Sequence, residues 1–188
     1  MKKTLALTVI SLLLISTFSI IAPQVKAGEA IPTPPYPKFL TLPFQDTEIR
    51  ILQAWLYNWG EQPNYHYAID YVKGIGKGRW VTFDVLAAAE GEAKYVGYFP
   101  KSKEGRYNYG HLVQVRHPYY DSAGNQFYTL YAHLSEVSGK LAILSEDGKL
   151  VSLGWVPVER GEYLGKAGES GAEGSGIHLH FEVQVSES

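Results

Sequence analysis

Apolar and polar positions alternate along most of this chain, and a helical period is weak everywhere in it. The clearest stretch is His178-Leu-His-Phe-Glu-Val-Gln-Val185. Its period of two places Leu179, Phe181, Val183 and Val185 on one face, expected to point inward, and His178, His180, Glu182 and Gln184 on the other. His111 to His117 carries Val113 and Val115 at alternate positions, and Phe127 to His133 is rich in the aromatic and small residues that suit a pleated surface. Two apolar runs, Lys140 to Leu144 and Lys149 to Leu153, flank Asp147-Gly148 and predict a hairpin. Asp121 to Asn125 predicts a further turn. The expected fold class is all-β, a small antiparallel sandwich or barrel.

Composition supports that reading and narrows the chemistry. Nineteen Gly, ten Pro and one Met in 188 residues argue against a helical bundle, while 14 Tyr, seven Phe and four Trp supply a core. The absence of Cys excludes a disulfide framework, a thiolate metal site and a cysteine nucleophile. Residues 1–27 read as a secretory signal peptide: Lys2 and Lys3 precede the apolar run Leu5 to Ile21, and Val25-Lys26-Ala27 supplies a small-x-small cleavage site. A retained membrane anchor is the alternative, since the run is near the lower limit for spanning. Residues 28–38, with Pro32, Pro34, Pro35 and Pro37, form an extended lead-in, and residues 39–188 the single folded domain. Cleavage after Ala27 removes three lysines and leaves 14 basic against 19 acidic residues. A net charge near −5 argues against nucleic acid or an anionic membrane as the partner.

Candidate chemistry gathers on four histidines and one carboxylate. On strands, side chains two or four apart share a face, so His66 projects with Asp70, and His178 with His180. His133 ends the run Tyr131-Ala-His133. Imidazole nitrogens with one carboxylate and no thiolate favour zinc. Three protein ligands would leave a fourth position for water, and a spare histidine could act as base. Each element alone is weak, because a His-x-His pair or a His-x-x-x-Asp pair is often structural. His111 and His117, on the face of Val113 and Val115, are expected to be structural, and Glu90 and Glu92 to be solvated turn charges. The glycine-rich run Gly168 to Gly176 precedes a strand and lacks a phosphate-loop lysine; Gly74 to Gly78 does not fit a dinucleotide fingerprint.

At these residues the sequence resembles the lysostaphin-like (LytM-type) zinc metallopeptidases, endopeptidases of bacterial peptidoglycan. The resemblance rests on His66-Tyr-Ala-Ile-Asp-Tyr71, Val85-Leu-Ala-Ala-Ala-Glu-Gly91, Leu130-Tyr-Ala-His-Leu134 and Gly176-Ile-His-Leu-His-Phe-Glu-Val183, in family order across roughly residues 40–185. It implies a domain of the duplicated-hybrid-motif type that holds one zinc per chain through His66, Asp70 and His180. It further implies that His133 and His178 line the catalytic water, and that peptidoglycan cross-bridge or stem peptides are the substrate. A tyrosine near that water is also implied, with Tyr57 and Tyr65 as candidates. The sequence departs from the family's pattern at Ile177, where Pro often stands, at His111, where Asn often stands, and in an apparent insertion from Leu134 to Arg160. A non-catalytic wall-binding or regulatory module on the same fold is the alternative, which loss of any of the five residues would favour. Zinc hydrolysis of another exported peptide, such as a glycine-rich protein, is a second.

Overall fold

The computed structural model describes residues 38–57, 64–74 and 79–186. The proposed leader, nearly all of the proline-rich lead-in and residues 75–78 lie outside the described residues. The fold is all-β, and its strands pair antiparallel throughout. Among the described residues no helix is long and apolar enough to cross a membrane.

The largest sheet has seven strands in the order β1 (Ile49–Gln53), β2 (Ile69–Lys73), β12 (Leu179–Ser186), β6 (Gln126–Leu134), β5 (Gly110–Tyr120), β4 (Gly91–Phe99) and β10 (Val156–Val158). A second sheet joins β3 (Asp84–Leu86), β11 (Tyr163–Lys166) and β7 (Glu136–Val137). A third is the hairpin β8 (Ala142–Leu144) and β9 (Leu150–Ser152), whose turn holds Gly148 at φ 78° as Asp147-Gly148 predicts. The turn at Asp121 to Asn125 joins β5 to β6, with the Asp121 carboxylate accepting the Ala123 and Asn125 N–H groups at 2.8 Å each.

One core fills the space between the large sheet and the three-stranded sheet. Val113, Val115, Tyr131, Leu179 and Phe181 enter it from one side and Val85 and Leu164 from the other. Within it a buried polar chain closes on itself. The His117 Nδ1–H donates to the Glu90 carbonyl at 2.9 Å, its Nε2 meets the Thr129 hydroxyl at 2.8 Å, and Thr129 meets the Tyr131 phenol at 3.0 Å. That phenol accepts the Ala88 N–H at 2.9 Å. Burial pushes the His117 pKa below its ordinary value, so the ring is held neutral.

Two expectations need correction. Val183 and Val185 are 46% and 48% exposed, although Leu179 and Phe181 on the same face are buried. Strand β12 pairs with β2 only from Leu179 to Phe181; beyond that, β6 is its one neighbour among the described residues, and the valines overhang the core. Glu90 and Glu92 are solvated as expected, their side chains 42% and 44% exposed, but Glu92 stands on β4 rather than in a turn and both are paired. Glu90 is gripped by the Arg160 guanidinium and the Tyr119 hydroxyl, and Glu92 pairs with Arg116 at 2.8 Å. These contacts stitch the Leu134–Arg160 segment to the large sheet: β10 pairs with β4, and the Trp155 ring lies 4.5 Å from the Arg116 guanidinium.

Candidate metal centre

Asp70 and His180 face each other directly on the neighbouring antiparallel strands β2 and β12. Opposed side chains on such a pair are about 5 Å apart at Cβ. His66 arrives from the extended segment before β2, fixed by its N–H, which donates to the Trp55 carbonyl at 2.9 Å. The three donor atoms converge: His66 Nε2 to Asp70 Oδ1 is 3.3 Å, His180 Nδ1 to Asp70 Oδ1 is 3.0 Å, and His66 Nε2 to His180 Nδ1 is 3.2 Å. A tetrahedral zinc with bonds of about 2.0–2.1 Å needs donor separations of about 3.3–3.4 Å. The triangle matches one face of that tetrahedron, and these residues could hold a metal ion.

The protons on all four clustered histidines are placed by acceptors outside the cluster. His66 Nδ1–H points to the Ala54 carbonyl at 3.3 Å, and His180 Nε2–H donates to Glu182 Oε1 at 2.9 Å. Each ring therefore turns its other nitrogen toward Asp70: without metal that nitrogen can donate a proton to the carboxylate, and once deprotonated it offers its lone pair to a metal. His133 and His178, with ring centroids 4.6 Å apart, follow the same rule. His133 Nδ1–H donates to the Ser170 carbonyl at 3.0 Å and His178 Nδ1–H to the Gly176 carbonyl at 2.7 Å. Their Nε2 atoms have no hydrogen-bond partner among the described residues and are open for proton transfer.

Backbone irregularities aim these two rings. His133 has φ 60°, the left-handed region that a non-glycine residue adopts only under constraint, and its N–H donates to the Tyr109 carbonyl at 2.8 Å. The β5–β6 register slips there, with an extra residue on β6 between the pairs His111–Leu134 and Val113–Tyr131. The 168–178 loop presses against the strand ends. A Cβ on Gly110, itself at φ 60°, would lie 2.0 Å from the Ser170 carbonyl oxygen that anchors His133.

The electrostatics follow from burial and pairing. Burial would raise the Asp70 pKa, but hydrogen bonds from His180 and His66 hold it well below the usual carboxylate range. Burial would depress His180, but Asp70 and Glu182 outweigh it and raise the ring to about 9. Burial, followed by the neighbouring His178, pushes His133 down to about 4. Burial and then Glu182 push the Tyr109 phenol up to about 12. The cluster opens on a cleft of about 760 Å³, whose lining includes Tyr57, Tyr65, Tyr67, Tyr107 and Tyr109.

The structure thus brings His66, Asp70, His133, His178 and His180 to one place, and leaves His111 and His117 out of it. His111 is hydrogen-bonded to the Tyr95 phenol at 2.8 Å, and His117 lies in the core. Tyr57 packs its ring 4.9 Å from that of His66, whereas Tyr65 is turned outward against Tyr67. Sequence reasoning missed Glu182 and Tyr109. Glu182 carries a usable signal, since it continues the His178–His180 face at period two; Tyr109 carries none beyond its position before Gly110.

A two-His, one-Asp cluster beside two proton-accepting histidines in an open cleft is the arrangement of a metal-dependent hydrolase. Residues 64–188 match Peptidase family M23, and the chain belongs to this family of metallopeptidases. Among solved structures it is similar to a mutant catalytic domain of the prophage-encoded M23 protein EnpA from Enterococcus faecalis. The two are 18% identical with a TM-score of 0.50, over 78% of this chain and 88% of that one. A zinc-containing peptidase from Vibrio cholerae is 21% identical with a TM-score of 0.50, over 80% of this chain and 37% of that one. The catalytic domain of the antimicrobial peptidase lysostaphin from Staphylococcus simulans is 24% identical with a TM-score of 0.43, over 70% of this chain and 77% of that one. No curated protein matches the sequence. The first two likenesses establish a shared fold.

Proposed function

We propose that this chain is a secreted zinc endopeptidase that hydrolyses peptide bonds in the cross-bridge or stem peptides of bacterial peptidoglycan. One observation carries the reading: the tetrahedral-face geometry of His66, Asp70 and His180, set beside two histidines whose Nε2 lone pairs face the same cleft. Family membership supplies the reaction class. The division into a leader at 1–27, a lead-in at 28–38 and a catalytic domain at 39–188 belongs to the same proposal and supplies export.

His66, Asp70 and His180 would hold the zinc. Bound there, zinc supplies Lewis-acid polarisation of the scissile carbonyl and a water whose pKa is lowered to about 7. His133 and His178 do the proton work. One Nε2 accepts the proton of the attacking water and later delivers it to the departing amine; the other, after taking a proton from solvent, donates a hydrogen bond to the developing oxyanion and keeps that proton as the oxyanion collapses. The Ser170 and Gly176 carbonyls keep both Nδ1 atoms protonated, so it is the Nε2 of each ring that is left to take up and release a proton. Asp70 stays ionised, which its depressed pKa secures.

Digestion of purified peptidoglycan, with mass spectrometry of the released fragments, tests the proposal. New free amino groups at one defined peptide bond, lost on chelation and regained with zinc, are the expected result. Intact peptidoglycan after prolonged incubation, or cleavage by metal-free protein, overturns it.

A further inference from the structure

The segment that delivers His66 carries a second pattern. His66 is 4% exposed, while its neighbours Tyr65 and Tyr67 are 48% and 65% exposed. Adjacent residues of an extended segment project to opposite sides, so the inner side of this segment serves the metal centre and the outer side presents two phenols. These rings stack with centroids 5.8 Å and planes 21° apart, and Trp55, itself 59% exposed, meets Tyr67 edge to face at 6.1 Å. Leu56, bridged to Tyr65, and Leu52 are exposed as well. A contiguous exposed apolar surface of this kind marks an interaction site. It is continuous with the cleft, because Leu52, Tyr65 and Tyr67 line both.

Charge narrows the occupant. Between Ile51 and Ile69 the sequence carries one charged residue, Glu61, which lies outside the described residues. An aromatic lip with so little charge suits a ligand that is flat, uncharged, apolar on its face and hydroxylated at its rim. A pyranose ring has this character, and Tyr and Trp meet it with an apolar ring face and a polar tip.

We infer that the Trp55–Tyr65–Tyr67 lip is a sugar-binding subsite that stacks a ring of the glycan strand from which the cleaved peptide emerges. The inference rests on the peptidoglycan reading above and extends it: the enzyme recognises its peptide together with the attached sugar. Trp55 lies outside the metal cluster and touches it only through its backbone carbonyl, so its ring contributes to substrate preference and not to the chemistry.

The test compares two substrates: cross-linked peptide dimers still bearing their disaccharide, and the same dimers after an amidase has removed the sugar. The parent enzyme is expected to show a kcat/KM about two- to tenfold higher on the sugar-bearing dimers, the worth of one or two aromatic contacts. Trp55→Ala brings that ratio close to one, and Trp55→Phe, which keeps a ring, preserves most of it. Equal efficiency of the parent on both substrates overturns the subsite and leaves the peptidase reading standing. An equal loss on both substrates in Trp55→Ala overturns it too, since a peptide path, a docked protein or a folding role would act that way. Failure to cleave either substrate overturns the peptidoglycan reading and the subsite together.

Discussion

Replacing Glu182 tests how His180 is prepared as a metal ligand. A neutral imidazole has two tautomers of similar energy, and only the one protonated on Nε2 leaves Nδ1 free. Glu182 selects it by accepting the Nε2–H at 2.9 Å, and it is itself held by the Gln184 side-chain amide at 2.6 Å. At 5% exposure, Glu182 occupies a place where water is a poor substitute acceptor. In either protein metal must displace the Nδ1 proton, but in Glu182→Ala the Nε2–H has lost its partner, so the deprotonated ring is no longer held in the tautomer and orientation that turn Nδ1 to the metal. Such outer carboxylates are worth about 10- to 100-fold in metal affinity, or about 1.4–2.7 kcal/mol. The upper end applies to Glu182→Ala because the removed group is buried and a cavity replaces it. Glu182→Gln keeps a carbonyl oxygen for the Nε2–H and falls near the lower end.

The assay is zinc competition against a chromophoric chelator near neutral pH, on variants whose circular dichroism matches the parent. Affinity should fall in the order parent, Glu182→Gln, Glu182→Ala. A folded Glu182→Ala protein that binds zinc within about twofold of the parent, well inside the expected range, refutes the tautomer argument. So does a glutamine variant weaker than the alanine one, because charge alone would then set the affinity.

His180→Ala removes a ligand and should lose zinc and turnover together, whereas His178→Ala and His133→Ala should retain zinc and lose about 10²- to 10⁴-fold in rate; metal content and cleavage rate measured on each variant decide it, and zinc loss in His178→Ala with retention in His180→Ala reverses the roles. Phe181→Ala should cost about 3–5 kcal/mol in urea unfolding, since the ring is buried and lies 5.3 Å from Tyr131, while the half-exposed Val183→Ala should cost under about 1 kcal/mol. Equal costs for the two would show that β12 is buried along its whole length. Stability should fall as pH drops below about 6.5, because burial lowers the folded-state pKa of His117 and the unfolded chain takes up a proton that the native state refuses. His117→Gln should flatten the pH dependence of urea unfolding by up to one proton, about 1.4 kcal/mol per pH unit; an unchanged slope would place a charged His117 in the fold.

The pattern of the sequence reaches as far as side chains that obey a period. Alternation along Leu179 to Val185 locates β12 and puts His178, His180 and Glu182 on one face, and the Asp147-Gly148 and Asp121 to Asn125 turns form where the chain announces them. What alternation does not encode is where a strand outruns its neighbours. Val183 and Val185 keep the inward phase of Leu179 and Phe181, yet are exposed because β2 stops pairing at the level of Phe181. Glu90 shows the same limit. Its partner Arg160 is 70 residues away, and no local pattern connects them.

The clustered histidines divide along that boundary. Period and spacing join Asp70 to His66 and His180 to His178, and strand pairing then lays Asp70 against His180. The orientation of each ring depends instead on its far nitrogen, and three of the four acceptors are backbone carbonyls, at Ala54, Ser170 and Gly176. A carbonyl has the same chemistry whatever residue bears it, so these positions leave no residue-type mark. They show only indirectly, in the glycines that allow close approach: Gly110 makes room for the Ser170 carbonyl, and Gly176 is itself an acceptor at φ 92°. Donor identity is therefore written in side chains and donor aim mostly in backbone path. Glu182 is the exception, an aiming group with a side chain, and its place two residues after His180 is why that one part of the aim could have been read from the sequence.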